Sequence, residues 1–303
     1  MALPTPHLEK FNAAISNAKL PSADIPRLHE AVRKYHEWIA QLRAVSGGPE
    51  AALEQMVALL TKYKFYVDTA LIFDSPDDFL YRQKGQLKLD NSIIEEFLPW
   101  LLRRELLPGI SDDLEVGPCR CYSALYFQSS LLKPGLGGDP AVRAKDQDFA
   151  IGRRIYIRTS FAPDFRASSS QETSIAYVAA EIKTNLDKTM FQEACATAHD
   201  VKSGVAGAKY FLLCEWLDMT PLGTAGTDID EVLVLRGAKR LAANVREHFS
   251  TFSGRQRHRA DYMGYLQEHP FRTDVFRRLL DHVRRLLNED EPIEEDTLRR
   301  GYF

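Results

Sequence analysis

The chain has 303 residues, 45% of them hydrophobic and 27% charged, with 17 Gly and 15 Pro. That balance excludes a disordered segment, a collagen or a coiled-coil rod, and at this length one large or two smaller domains bury enough core without disulfide or metal staples. Lys and Arg number 39 against 42 Asp and Glu, a formal charge of −3, so there is no overall electrostatic case for a nucleic-acid partner and the placement of charge matters more than its sum.

Cys119, Cys121, Cys195 and Cys214 form no CxxC pair and no Cys/His ladder with zinc spacing. Cys119 and Cys121 share one face of a strand as small buried hydrophobes. The first residues lack a signal-peptide pattern and no run of about 20 apolar residues occurs. A reducing, cytoplasmic setting without a membrane partner is therefore expected.

Residues 1–110 read as a helical region. Apolar residues recur at three- and four-residue spacing over 25–45, 49–64 and 91–107, the last with a break expected at Pro99. Ser46-Gly47-Gly48-Pro49 separates the first two, with Pro49 opening the second. In the pair Pro76-Asp77, Ser75 or Asp74 is expected to cap a short helix. From about residue 114 the pattern changes to short β-branched and aromatic runs at 119–127, 149–158, 175–183, 210–217 and 231–235. A helical segment at 187–202 lies between the third and fourth runs, which predicts an α/β layer with a parallel crossover. The turn at 204–208 lacks the Lys and Ser/Thr of a phosphate loop. After residue 249 the chain is helical again, giving three stretches: 1–110, 111–250 and 251–303.

Residues 253–288 carry eight Arg against four acids, and residues 289–296 hold six acids. A neutral sum thus hides a basic region followed by an acidic tail.

The chemistry concentrates in AYVAAEIKTNLDKTMFQEA, residues 176–194. On a strand, Glu181 and Lys183 project from the same face at its C-terminal end. A charged pair ending an otherwise apolar strand suits a carboxylate that binds a divalent cation beside a lysine that positions water. A second carboxylate would come from a neighbouring strand. Asp148, which opens DFAIGRRIYIR, ranks first; Asp164, in Pro163-Asp164 before a polar stretch, ranks second, and Asp146 third.

Asp148 with Glu181-Ile182-Lys183, in a helix-strand-strand-strand-helix-strand order, resembles the PD-(D/E)XK nuclease superfamily, and EIKTNLDKTMFQEA resembles the Bpu/Bbv-type Type II restriction endonucleases. The likeness covers about residues 141–217, and the proline usual before the first aspartate is replaced by Gln147. It implies a mixed central sheet flanked by helices, with a catalytic core at 111–250 and helical ends that contact DNA or a partner subunit. It also implies Mg²⁺-dependent hydrolysis of double-stranded DNA at a specific asymmetric seven-base-pair site, by a homodimer or with a second nuclease subunit. Asp148, Glu181 and the Ile182 carbonyl would hold the metal, Lys183 the attacking water, and Gln192 would stand near the site.

In SGRQRHRADY, Arg255, Arg257, His258 and Arg259 stand beside Tyr262. Arginine pairs with phosphate or chelates guanine, so this stretch is expected to be a DNA-contacting loop, against the alternative of a solvated face paired with the acidic tail. Two readings compete with the enzyme: a non-cleaving DNA-binding or assembly subunit, and a helical interaction protein in which Glu-x-Lys is coincidental.

Overall fold

A computed structural model describes residues 3–287 and 294–301. The N-terminal stretch forms α1 (Pro6–Ile15), α2 (Ile25–Ala44), α3 (Pro49–Tyr66), α4 (Asp78–Gln83) and α5 (Ser92–Phe97). In α2 the buried residues Leu28, Ala31, Tyr35, Trp38, Ile39 and Leu42 make one stripe, as their spacing predicts. Pro49 opens α3, and that helix runs directly into a π-helical turn, Val67–Phe73. The helix expected over 91–107 is shorter: a 3-10 turn, Leu98–Leu101, follows α5, because Pro99 can neither donate a hydrogen bond nor fit a continuing α-helix.

Five strands follow: β1 (Glu115–Phe127), β2 (Pro140–Thr159), β3 (Ser169–Leu186), β4 (Lys209–Leu217) and β5 (Glu231–Lys239), with α6 (Lys188–Gly204) between β3 and β4. They form one mixed sheet in the order β1-β2-β3-β4-β5, antiparallel through β3 and parallel from β3 to β5. The Asp187 side chain caps α6 by accepting from the Met190 amide. β2 and β3 extend well beyond their apolar runs, because residues 169–174, too polar for a core, pair with 154–159 as a hairpin edge. Gly152 permits the irregularity in β2: a Cβ there would lie 2.2 Å from the Ile175 carbonyl oxygen.

The chain ends in α7 (Ala243–Glu247), α8 (Phe252–Arg257), α9 (Arg259–Glu268), α10 (Thr273–Leu287) and α11 (Glu294–Arg300). One face of the sheet, with Phe149, Val178, Ile182, Phe211 and Leu233, shares a core with α1, α2, α3, α5 and α10. The opposite face, with Ala150, Ala179, Tyr210 and Leu212, packs on Phe191, Ala194, Ala198 and Val201 of α6. The first and last stretches of the chain therefore cover the same side. Arg277 and Arg278 of α10 pair with Glu50 and Glu231, elements of that packing, and most of the acidic tail lies outside the described residues.

A buried charge quartet joins the helical layer to the sheet. Lys64 Nζ lies 2.6 Å from Asp68 Oδ1 and 2.7 Å from Glu215 Oε1, and Arg236 Nε lies 2.9 Å from Glu215 Oε2. Arg236 also lies 3.7 Å from Asp68 and over the Phe271 ring.

Candidate active site

The site begins where two strands part. Pairing of β2 with β3 ends at Phe149↔Ala180; beyond it β3 continues against β4 alone, from Glu181↔Leu212 onward, while β2 lies against β1. Asp148 and Glu181 occupy the next facing positions, at the mouth of this fork. On the side β2 has left, the Ile182 backbone is served by side chains: its amide donates to Asp148 Oδ2 at 2.9 Å, and its carbonyl accepts from Asn91 Nδ2 at 3.0 Å.

Lys183 Nζ lies 2.6 Å from Glu181 Oε1, as two residues on one strand face should. The Tyr210 hydroxyl donates to Glu181 Oε2 at 3.4 Å. Burial, reinforced by the negative charges of Glu181 and Asp148, raises the Tyr210 pKa well out of the ordinary phenol range, so it stays a donor. From the helical layer, Lys88 Nζ reaches Glu95 Oε1 and Asp148 Oδ1, each at 3.5 Å. Burial and then the Asp148 charge raise the Glu95 pKa; burial alone would lower that of Lys88, but Glu95 and Asp148 outweigh it and raise it. The result is a cleft of about 480 Å³ lined by Lys88, Asn91, Asp146, Asp148, Glu181 and Lys183 among others.

Lys88, Asn91 and Glu95 escape a reading that looks for the site only among the strands. Their signal was a polar face at three- and four-residue spacing in KLDNSIIEE. Of the three aspartates ranked for the metal, Asp148 and Asp146 line the cleft. Asp164 does not: it sits exposed in the turn joining Thr159 to Ser169, at the opposite end of the β2/β3 ladder, where its carboxylate accepts from the Arg166 amide. Gln192 is exposed on α6 and is not part of the cleft wall, to which Met190 and Thr197 contribute instead.

The basic stretch is not a loop but two short helices, α8 and α9, joined at His258. Arg255 is fully buried and cannot reach DNA: it donates to the carbonyls of Phe73, Ser75 and Phe249 and pairs with Asp78. Arg259 makes a two-pronged pair with Asp74, and His258 stacks on His248 and reaches Asp261. Arg257 is exposed. Neither residue expected to cap α4 does so, since Ser75 donates to Asp24 and to the Asp77 carbonyl while Asp74 holds Arg259.

Two carboxylates and a strand carbonyl converge at the fork, all hard oxygen donors. Among the described residues no group of three His, Cys, Asp or Glu side chains forms a ready-made metal cage. Mg²⁺ does not need one, since it keeps waters and binds through one or two carboxylates together with substrate phosphate oxygens, so the donor set fits that ion.

The chain is thus a mixed five-stranded sheet walled by helices, with a carboxylate-lysine cleft at a strand fork. A chain of a solved structure described as the native BbvCI A2B2 tetramer at low resolution has the same fold, with a TM-score of 0.57 at 20% identity over 81% of this chain and 88% of that one. The sequence model of the Bpu10I restriction endonuclease family matches residues 86–303. The protein belongs to that family and is a site-specific endonuclease. No curated protein sequence matches the chain. Among the described residues no helix is long and apolar enough to cross a membrane.

Proposed function

We propose that the fork cleft is a PD-(D/E)XK-type active site that hydrolyses a phosphodiester bond of double-stranded DNA with Mg²⁺. The observation that carries this reading is the meeting of Asp148 and Glu181 at facing positions just past the last β2/β3 pair, with Lys183 Nζ 2.6 Å from Glu181.

Asp148 and Glu181, with the Ile182 carbonyl, would hold the ion, which when bound neutralises charge building on the scissile phosphate. The Ile182 amide fixes one Asp148 oxygen and leaves the other toward the cleft and Lys88. Tyr210 steadies Glu181 from the opposite side. Lys183, beside Glu181, would hold the attacking water and favour its deprotonation. Asn91 holds the Ile182 carbonyl in line, and Lys88 adds positive charge where the phosphate enters.

A duplex has two strands, and we read one such cleft among the described residues. We therefore infer that the chain works as a homodimer or with a second nuclease subunit, an assembly for which the A2B2 description of BbvCI is an analogy. The asymmetric seven-base-pair site is proposed separately, from the likeness of EIKTNLDKTMFQEA to the Bpu/Bbv-type enzymes. Four free thiols suit a reducing cytoplasm. Exposed Arg257 is retained as a DNA contact. Incubation of the protein with plasmid DNA in Mg²⁺ and in EDTA tests the reading: cleavage is expected with Mg²⁺ and not with EDTA, and equal cleavage in both would overturn it.

A further inference from the structure

A second pocket, of about 190 Å³, opens beside the cleft and shares Tyr81, Lys84, Thr184, Asn185 and Arg240 with its wall. Its remaining lining is dominated by aromatic rings, among them Trp216, Tyr262 and Tyr265, with Arg246 at the side. The rings are held by their faces, which leaves ring edges to line the pocket: Lys84 stands over Tyr81, Arg236 lies 4.9 Å from the Trp216 centroid and Tyr265 meets His269 at 4.5 Å. Tyr81 packs edge-on against Phe73 with the Arg255 guanidinium 4.9 Å from its centroid, Trp216 stacks on Tyr265 at 5.1 Å, and Tyr262 stacks on Phe73 at 4.3 Å. This explains what the buried Arg255 does in place of touching DNA: it braces the wall between the two cavities.

The cations are placed differently from the rings. Lys84 lies 5.1 Å from the Tyr81 centroid, Arg240 is anchored on Asp218 at 2.8 Å, and Arg246 uses its Nε on the Leu241 carbonyl. Thr184 and Asn185 directly follow the Glu-x-Lys pair on β3 and make no side-chain hydrogen bond among the described residues, so their polar ends are available to a guest. Preformed aromatic walls, a basic rim, two uncommitted hydrogen-bonding side chains and room for one flat ring system are the features that take a nucleobase with its flanking phosphate.

We infer that this pocket seats one base, unstacked from its neighbours, of the strand whose phosphate enters the fork cleft. The ring edges pack against the base, Lys84, Arg240 and Arg246 meet the flanking phosphates, and Thr184 and Asn185 meet the base edge. The inference rests on the reading of the cleft as a phosphodiester site. It sets the register of the strand relative to Lys183, because Thr184 and Asn185 are the next two residues on the same strand.

The test is binding in EDTA of a labelled oligothymidylate and of a same-length abasic strand, with plasmid cleavage in Mg²⁺ run in parallel. The wild type should bind the base-bearing strand at least about fivefold more tightly than the abasic one. Tyr81→Ala and Tyr265→Ala should each remove that difference and leave abasic binding unchanged, whereas Arg246→Ala should weaken both alike. Tyr81→Leu, with thermal melting as a control, covers loss of packing around Phe73. Equal binding of the two strands by the wild type, or discrimination that survives in both tyrosine variants, would overturn the inference even where plasmid cleavage shows a working cleft. Failure of cleavage together with failure of all strand binding would bring down the reading of the fork cleft as a phosphodiester site, and the inference with it.

Discussion

Among the described residues Lys183 reaches Glu181 Oε1 and otherwise open cleft, so its removal should take away the proposed water-holding group without loosening the core. Lys183→Ala is expected to cut the cleavage rate by at least about a hundredfold, the scale of a lost acid-base group, while DNA affinity stays within a few-fold; equal losses in binding and cleavage would contradict that role. Two arginines two residues apart should behave in opposite ways. Arg255→Ala strips donors from three buried carbonyls and leaves Asp78 with only Arg82 as a cationic partner among the described residues, a change of about 3 kcal/mol or more in stability by denaturant unfolding. Arg257→Ala, at an exposed position, should leave the unfolding curve in place and weaken DNA binding. The sequence could not tell these two apart, because whether an arginine clamps carbonyls or faces solvent depends on residues distant in the chain, here Phe73 and Ser75.

At the scale of elements, apolar runs and helical spacing marked out all five strands and the α6 crossover, since each depends on neighbours in sequence. The fork was not legible: it arises from where β2 stops pairing with β3 and from α5 arriving with Asn91, both matters of register. The polar ladder of residues 169–174 was missed for the related reason that an edge hairpin needs no buried face. The contact between Glu181 and Lys183 was legible because two-residue spacing is itself the geometry. The junction between helical layer and sheet makes its own prediction. Lys64→Met leaves Asp68 and Glu215 buried with only Arg236 between them and should cost about 3–5 kcal/mol, readable as a lower denaturant midpoint. A change within about 0.5 kcal/mol would show the quartet is not a coupled unit.

Over the whole molecule, the acid stability of the fold is set partly at the seam of α1 with α3 and α5, where His7 contacts Ser92 and Tyr63. Burial, with help from Lys64, drives the His7 pKa down to about 3 from 6.5, so the native state keeps it neutral while the unfolded chain takes a proton below about pH 6.5. Its stabilisation is complete above that pH and is lost as pH falls toward about 3, at up to about 1.4 kcal/mol per pH unit. Glu96, which accepts from Tyr35 and the His7 amide, is pushed by burial up to about 7 from 4.5 and acts in the opposite sense, its contribution fading as pH rises across that interval. The His7→Gln variant should therefore be less stable than wild type near pH 7 and close the gap on acidification; a gap independent of pH would contradict the assignment. Strand count is also a property of the assembly. A species shown by light scattering to be a single chain on DNA should give relaxed circles, and a two-chain species linear DNA, whereas concerted double-strand cuts by a single chain would contradict one cleft per chain.

The most direct measurement compares wild type, Glu181→Ala and Asp148→Asn on plasmid DNA with Mg²⁺, each first matched for thermal melting. Discrete cleavage products from the wild type, absent in both variants at unchanged melting temperature, are the expected result. Undiminished cleavage by either well-folded variant would place the active site elsewhere than at the β2/β3 fork.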